Sequence, residues 1–162
     1  MLTRMASLKF VAVLGCFLAL AACSKKNTPN LEAGTAAVPG SVQDFTVNVG
    51  DRVFFSEDQS TLTPEAQETL RRQADWLNKY PKVTVQVEGH ADERGTREYN
   101  IALSARRATA ARDFLISQGV AASRISSIAY GKERPVALCD AEQCWSQNRR
   151  AVTVITGGAV GG

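Results

Sequence analysis

Between residues 88 and 107 the chain sets down a dense group of side chains that could do chemistry: Glu88, His90, Asp92, Glu93, Arg94, Asn100 and Arg107. His90 is the only histidine in 162 residues. Asp92 and Arg107 carry opposite charges. Asn100 precedes Arg107 by seven residues, two turns along nearly the same face of a predicted helix. If that helix folds back along the strand before it, Arg107 comes abreast of Asp92. An Asp and an Arg facing one cavity can hold a zwitterion. Arg grips a carboxylate through two parallel hydrogen bonds, Asp takes the ammonium, and Asn100 supplies a donor and an acceptor. The same spacing also fits a surface Asp–Arg pair of little energetic weight, because charged helix faces are common. Spacing alone leaves both readings open.

Catalytic readings find few partners. A metal site would draw on His90 and Asp92, which share a face if the strand persists, with Glu88 in support. One histidine with scattered carboxylates is a poor set for zinc. A hydrogen-bonded structural role suits His90 better. There is no G-x-S-x-G, any Ser–His–Asp triad would have to use His90, and no glycine-rich phosphate loop is present. Trp76, Tyr99, Tyr130 and Trp145 read as packing residues rather than as a stacking platform. The residues point to binding, with no catalytic residue, metal or cofactor assigned.

These side chains need a frame. Val53-Phe54-Phe55 is a short apolar strand, followed by a polar loop over residues 56–63. Thr63-Pro64-Glu65 opens a helix as N-cap, first-turn proline and first-turn acid. Leu70, Ala74 and Leu77 give it an apolar stripe, and it ends near Lys79-Tyr80, before Pro81. Val83, Val85 and Val87 alternate with Thr84, Gln86 and Glu88, which predicts a half-buried strand. Thr96 caps a second, alanine-rich helix that runs to about Gln118 and stops at Gly119. Residues 125–130 form a third strand, residues 141–146 a short helical turn, and residues 151–155 the last strand. This β-α-β-α-β-β order predicts an α+β domain over residues 44–156, with two main helices packed on one face of a mixed sheet.

The ends read differently. Arg4 and Lys9 precede an apolar run over residues 10–22, too short to span a bilayer comfortably and typical of a signal peptide. The run closes in Leu20-Ala21-Ala22-Cys23-Ser24, a lipobox in which Cys23 is lipidated after cleavage. The alternative is an ordinary secretory signal with an accidental Cys. Residues 23–43, with Pro29, Gly34, Pro39 and Gly40, form a flexible tether that frees the domain to search away from the membrane. Residues 157–162 form a flexible glycine-rich tail. Of the four cysteines, Cys16 leaves with the signal and Cys23 takes lipid. Cys139 and Cys144 remain, and an exported protein meets an oxidising compartment in which they can pair. Free or metal-binding thiols are the alternative, although the spacing is not Cys-x-x-Cys and no second pair exists. Without Arg4 and Lys9 the balance is 17 basic against 16 acidic residues, which argues against a nucleic-acid binder.

Gly89-His90-Ala91-Asp92-Glu93-Arg94-Gly95-Thr96, then Glu98-Tyr99-Asn100, Leu103-Ser104 and Arg106-Arg107-Ala108, resemble the peptidoglycan-associated lipoproteins (Pal) of Gram-negative bacteria, a family of OmpA-like peptidoglycan-binding domains. Tyr130-Gly131-Lys132-Glu133-Arg134-Pro135 and Asn148-Arg149-Arg150-Ala151-Val152 match further family stretches, as do the lipobox and tether. The resemblance implies reversible binding of peptidoglycan stem peptides through the zwitterionic end of meso-diaminopimelate. By position, Asp92 would take the ammonium, Arg107 the carboxylate, and Asn100 would orient ligand and loop. The family also uses the loop after the first main strand, mainly through its backbone. Here that loop is Phe55-Ser56-Glu57-Asp58, in which Ser56 replaces the first Asp of the usual Phe-Asp-x-Asp and Asp58 keeps the second. Arg150 would line the pocket, and the Cys139–Cys144 pair looks like a subgroup addition. The resemblance further implies a non-enzymatic outer-membrane lipoprotein, anchored in lipid through Cys23. It would work with TolB and the rest of the Tol–Pal system in cell division and envelope integrity. Its rivals are the same domain anchoring a motor or secretion machine, and a periplasmic hydrolase.

Overall fold

Two long helices lie against one face of a four-stranded sheet. The computed structural model describes residues 37–161. The expected signal peptide, Cys23 and most of the expected tether lie outside these residues. The strands are β1 (Arg52–Phe54), β2 (Thr84–Gly89), β3 (Ile125–Ala129) and β4 (Arg150–Gly157), in the order β1-β4-β2-β3. The helices are α1 (Pro64–Lys79), α2 (Arg97–Ser117) and the short α3 (Glu142–Asn148). β4 runs antiparallel to both β1 and β2, and β2 pairs in parallel with β3. A parallel pair needs a long crossover, and α2 supplies it. This is the mixed α+β architecture expected from the order of elements.

Local chemistry sets the limits of the helices. The Thr63 hydroxyl accepts from Ala66 N at 3.2 Å at the start of α1, and Thr96 does the same for Tyr99 N at 3.2 Å at the start of α2. Each satisfies a backbone donor that the first helical turn leaves without a partner. Beyond the far end of α1, the Arg124 guanidinium donates to Leu77 O, Tyr80 O and Val83 O and so ties the end of the helix to the turn that leads into β2.

The core sits between the helices and the sheet. Leu70, Ala74 and Leu77 of α1 meet Val83, Val85 and Val87, and Ala108, Ala111 and Leu115 of α2 complete the layer. β2 shows the strand period directly: Val85 and Val87 are buried while Thr84 is exposed. Gln73 is fully buried in this apolar layer. It donates to Gly50 O at 2.7 Å and accepts from Thr153 Oγ1 at 2.8 Å, so its burial leaves no unmet amide.

Both ends of the domain differ from the sequence expectation. The expected tether includes residues up to 43, yet Ser41 caps a helical turn, Val42–Asp44, that continues as a π-helical turn, Phe45–Val49. Phe45 is 1% exposed and packs on Trp76 with ring centroids 4.9 Å apart, and Trp76 Nε1 donates to Asp44 Oδ2 at 2.8 Å. The tail expected over residues 157–162 begins inside β4, which extends to Gly157. Ala159 packs against the core, and Val160 N donates to Gly40 O at 3.0 Å. The two ends meet through backbone hydrogen bonding, for which small residues are no hindrance. Glycine content therefore misreads both segments.

Candidate functional site

The sequence stretch that follows β2 forms one wall of a cleft with a volume of about 300 Å³. Three elements line it. The loop between β1 and α1 brings Glu57 and Asp58, the loop between β2 and α2 brings Asp92, Arg94 and Gly95, and α2 brings Tyr99, Asn100, Leu103 and Arg107. The α2 residues follow the 3.6-residue period, so one helix face lines the cleft over two turns. The end of β2 is fixed on both flanks: His90 N donates to Arg150 O at 2.9 Å and Ala91 N to Gly131 O at 2.8 Å. That fixes the backbone from which Asp92 projects.

Asp92 is 7% exposed. Burial alone pushes its carboxyl pKa up. Hydrogen bonds from the Arg94 side chain, the Arg94 backbone and Arg149 outweigh burial and hold the pKa below the ordinary carboxylate value. Arg94 Nη2 lies 2.7 Å and Arg149 Nη1 3.3 Å from Asp92 Oδ2. Asp92 is thus an ionised acid at neutral pH.

Arg107 is fully buried. Its Nε donates to Gln59 O at 2.8 Å, Nη1 to His90 O at 3.0 Å and Nη2 to Ser56 O at 3.1 Å. Desolvation lowers its pKa to about 10, against the raising effect of Asp92, so it stays charged at neutral pH. A guanidinium has five N–H groups, so each terminal nitrogen keeps one N–H beyond these three bonds. The residue does two things at once: it ties the β1–α1 loop to the β2 exit, and it faces the cleft with positive charge. Asn100, 2% exposed, donates through Nδ2 to Arg94 O at 2.7 Å and so fixes the loop that carries Asp92. Asp58 adopts a left-handed backbone (φ 53°), a conformation Asp tolerates better than most residues, and accepts from the Tyr99 hydroxyl.

The structure brings Asp92, Asn100, Arg107 and Asp58 to one cleft. It does not bring Phe55, Ser56 or Arg150 into the lining. Phe55 is buried in the core, with the Arg107 guanidinium 5.2 Å from its ring centroid. Ser56 contributes its backbone carbonyl to Arg107. Arg150 donates to Asn148 O and Arg134 O. Its neighbour Arg149, also outside the lining, reaches the site indirectly, with hydrogen bonds to Asp92, Glu142 and Phe55 O. The strand period carries the reason. Ala151 and Thr153 face the helices, so Arg150 points to the opposite face of β4, whereas Arg149 precedes the strand. Sequence reasoning also missed Glu57, Arg94, Gly95, Tyr99 and Leu103 as lining residues. Tyr99 and Leu103 were open to the helical period, but the long-range contacts of Arg94 left no local signal. His90 was expected to be hydrogen-bonded, but among the described residues neither ring nitrogen has a hydrogen-bond partner. It stacks on Tyr130 at 5.5 Å.

Cys139 and Cys144 form a disulfide at the start of α3. Among the described residues, no three His, Cys, Asp or Glu side chains gather in a set able to hold a metal ion, and no helix is long and apolar enough to cross a membrane.

A β-α-β-α-β-β domain whose helices cover one face of the sheet, with a charged cleft where β1 and β2 meet α2, defines an OmpA-type domain. The OmpA family model matches residues 54–149. The peptidoglycan-associated lipoprotein of Mesorhizobium japonicum is 63% identical over 146 residues, covering 86% of this chain and 87% of that protein. The peptidoglycan-associated lipoprotein of Agrobacterium fabrum is 63% identical over 147 residues, covering 86% and 83%. The crystal structure of the Burkholderia pseudomallei peptidoglycan-associated lipoprotein superposes with a TM-score of 0.66 at 36% identity, covering 70% of this chain and 98% of that one. The chain belongs to the peptidoglycan-associated lipoproteins of the OmpA family. It is accordingly a structural protein and not an enzyme.

Proposed function

We propose that this chain is an outer-membrane lipoprotein, held in lipid through acylated Cys23, whose periplasmic domain binds peptidoglycan non-covalently. It tethers the outer membrane to the cell wall and works with TolB and the other Tol–Pal components in cell division and envelope integrity. The ligand is the peptide stem, taken by the free zwitterionic end of meso-diaminopimelate. One observation carries this reading: Asp92 and Arg107, an ionised acid and a charged guanidinium, line the same cleft, with Asn100 beside them. The ammonium of the ligand goes to Asp92, and its carboxylate meets the remaining terminal N–H groups of Arg107. The low dielectric of a partly buried cleft strengthens both contacts relative to the surface. The names of the 63%-identical relatives support peptidoglycan as the partner.

Co-sedimentation with murein sacculi tests the reading. Asp92→Asn keeps the size of the side chain and removes its charge, and it should abolish co-sedimentation while circular dichroism stays unchanged. Calorimetric titration should show that a diaminopimelate stem peptide binds and that its lysine counterpart, which lacks the second carboxylate, does not. If the Asp92→Asn variant sediments with murein as wild type does, or if both peptides bind alike, the zwitterion clamp is wrong. Release of soluble peptide fragments during incubation would contradict a binding-only role.

A further inference from the structure

The acceptor positions of Asp92 are filled from within the chain. A carboxylate offers about four lone-pair sites. Arg94 N and Arg94 Nε take two on Oδ1, at 3.2 and 3.4 Å, while Arg94 Nη2 and Arg149 Nη1 take two on Oδ2, at 2.7 and 3.3 Å. An incoming ammonium has to displace one of these donors. Arg149 is 6% exposed and is pinned by Glu142 and Phe55 O. The Arg94 side chain is 33% exposed and lines the cleft, so Arg94 is the one free to leave.

Arg94 is also held from outside. Its Nη1 lies 2.8 Å from Glu57 Oε1, and its guanidinium carbon lies 4.2 Å from the Trp145 ring centroid. Trp145 is itself fixed, since Nε1 donates to Glu93 Oε1 at 2.9 Å. It sits on α3, a seven-residue helix with no side-chain N-cap, too short to persist alone. The Cys139–Cys144 disulfide staples its start. The buried Asn148 side chain binds the backbone of Val136 and Ala137 and secures its end.

We propose that Arg94 is a specificity-determining residue that stands in for the ligand's ammonium at Asp92, held there by Glu57 and by Trp145 of the stapled loop. The inference rests on the zwitterion-binding function proposed above. Every contact that stabilises Arg94 on Asp92 subtracts from the affinity for an amine, because a ligand shifts an equilibrium only by its differential affinity for the two states. An amine without a carboxylate has only the Asp92 contact to set against Arg94. A zwitterion adds Arg107 and prevails.

The test titrates wild type, Arg94→Ala, Arg94→Gln, Trp145→Ala and the Arg94→Ala/Trp145→Ala double variant. The ligands are a diaminopimelate stem peptide and the same peptide acetylated on its side-chain amine. Arg94→Ala and Arg94→Gln should tighten the free-amine peptide roughly fivefold and Trp145→Ala roughly twofold, as expected for removal of one partly exposed ion pair and one partly exposed cation–π contact. The double variant should match Arg94→Ala alone, and the acetylated peptide should show no change with any variant. Weaker binding by both Arg94 variants overturns the proposal, since Arg94 would then be a ligand contact. So does equal tightening of the acetylated peptide, or a Trp145→Ala effect that persists when Arg94 is gone. If wild type binds neither peptide, the zwitterion reading fails first and takes the role of Arg94 with it.

Discussion

Gly89 and Ser104 bring β2 and α2 into backbone contact. A Cβ on Gly89 would lie 1.9 Å from the Ser104 carbonyl oxygen and 3.1 Å from the Ala108 Cβ. No side chain can fit there. The contact falls one residue before His90 and three residues before Arg107 along α2, so it sets the spacing between the Asp92 loop and the helix face that lines the cleft. Gly89→Ala must push the helix off the strand. We expect a loss of about 2–3 kcal/mol in urea unfolding, the range of an overpacked core. An unchanged midpoint would show that α2 can shift at little cost.

Arg107 joins three backbone carbonyls from two loops, those of Ser56, Gln59 and His90. A lysine at this position keeps the charge but offers one compact ammonium in place of a planar fork. Arg107→Lys should therefore leave at least one buried carbonyl without a donor and cost about 2 kcal/mol. The loss should be local as well as global, with faster limited proteolysis in the β1–α1 loop, near residues 56–62. If cleavage there stays at the wild-type rate, Arg107 is not what holds the loop.

Much of this frame was legible in the sequence because its signals are local. Thr63-Pro64 and Thr96 cap the helices they were expected to cap, and the alternation that starts at Val83 continues in Val85 and Val87, which give β2 its buried face. What escaped depends on contacts far apart in the chain. Nothing near Phe45 tells that it packs on Trp76, 31 residues later. Nothing near Arg149 tells that it reaches Asp92, 57 residues away, while its neighbour Arg150 points to the other face of β4. For Arg107 the charge was legible, but its three carbonyl partners were not, since a backbone carbonyl leaves no mark on residue type. The relation between Gly89 and Ser104 has the same character: a glycine in a strand suggests close approach, without naming what approaches.

The Cys139–Cys144 bridge closes a loop with a sequence separation of five. Loop-closure entropy for so short a ring corresponds to about 2 kcal/mol at most, and measured values often fall below this. The Cys139→Ser/Cys144→Ser double variant should lose no more than that in global unfolding, while amide exchange in α3 speeds up strongly. Equal protection of α3 in both forms would mean that Asn148 and the Arg149–Glu142 pair suffice to hold the helix.

His90 makes stability depend on pH in a definite window. It is 2% exposed, stacks on Tyr130, and has Glu88 Oε2 3.6 Å from Nε2, beyond hydrogen-bond length. Burial first, then the positive charges of Arg150, Arg134 and Arg52, lower its pKa from 6.5 to about 4. The folded state therefore resists a proton that the unfolded chain accepts. Between about pH 6.5 and 4 the unfolded chain binds more protons, so stability rises with pH across that range. The contribution is complete above pH 6.5, is lost as pH falls, and changes no further below about 4. The span corresponds to roughly 3 kcal/mol. Asp92, whose pKa lies below its ordinary 3.8, acts in a separate and more acidic window: its contribution is present above about 3.8 and is lost only as pH falls through its own lower value. His90→Phe keeps a ring against Tyr130 and removes the titration. Urea midpoints measured at intervals from pH 7 to pH 4 should fall steadily for wild type and stay nearly level for His90→Phe. Parallel slopes in the two proteins would assign the acid sensitivity to other groups.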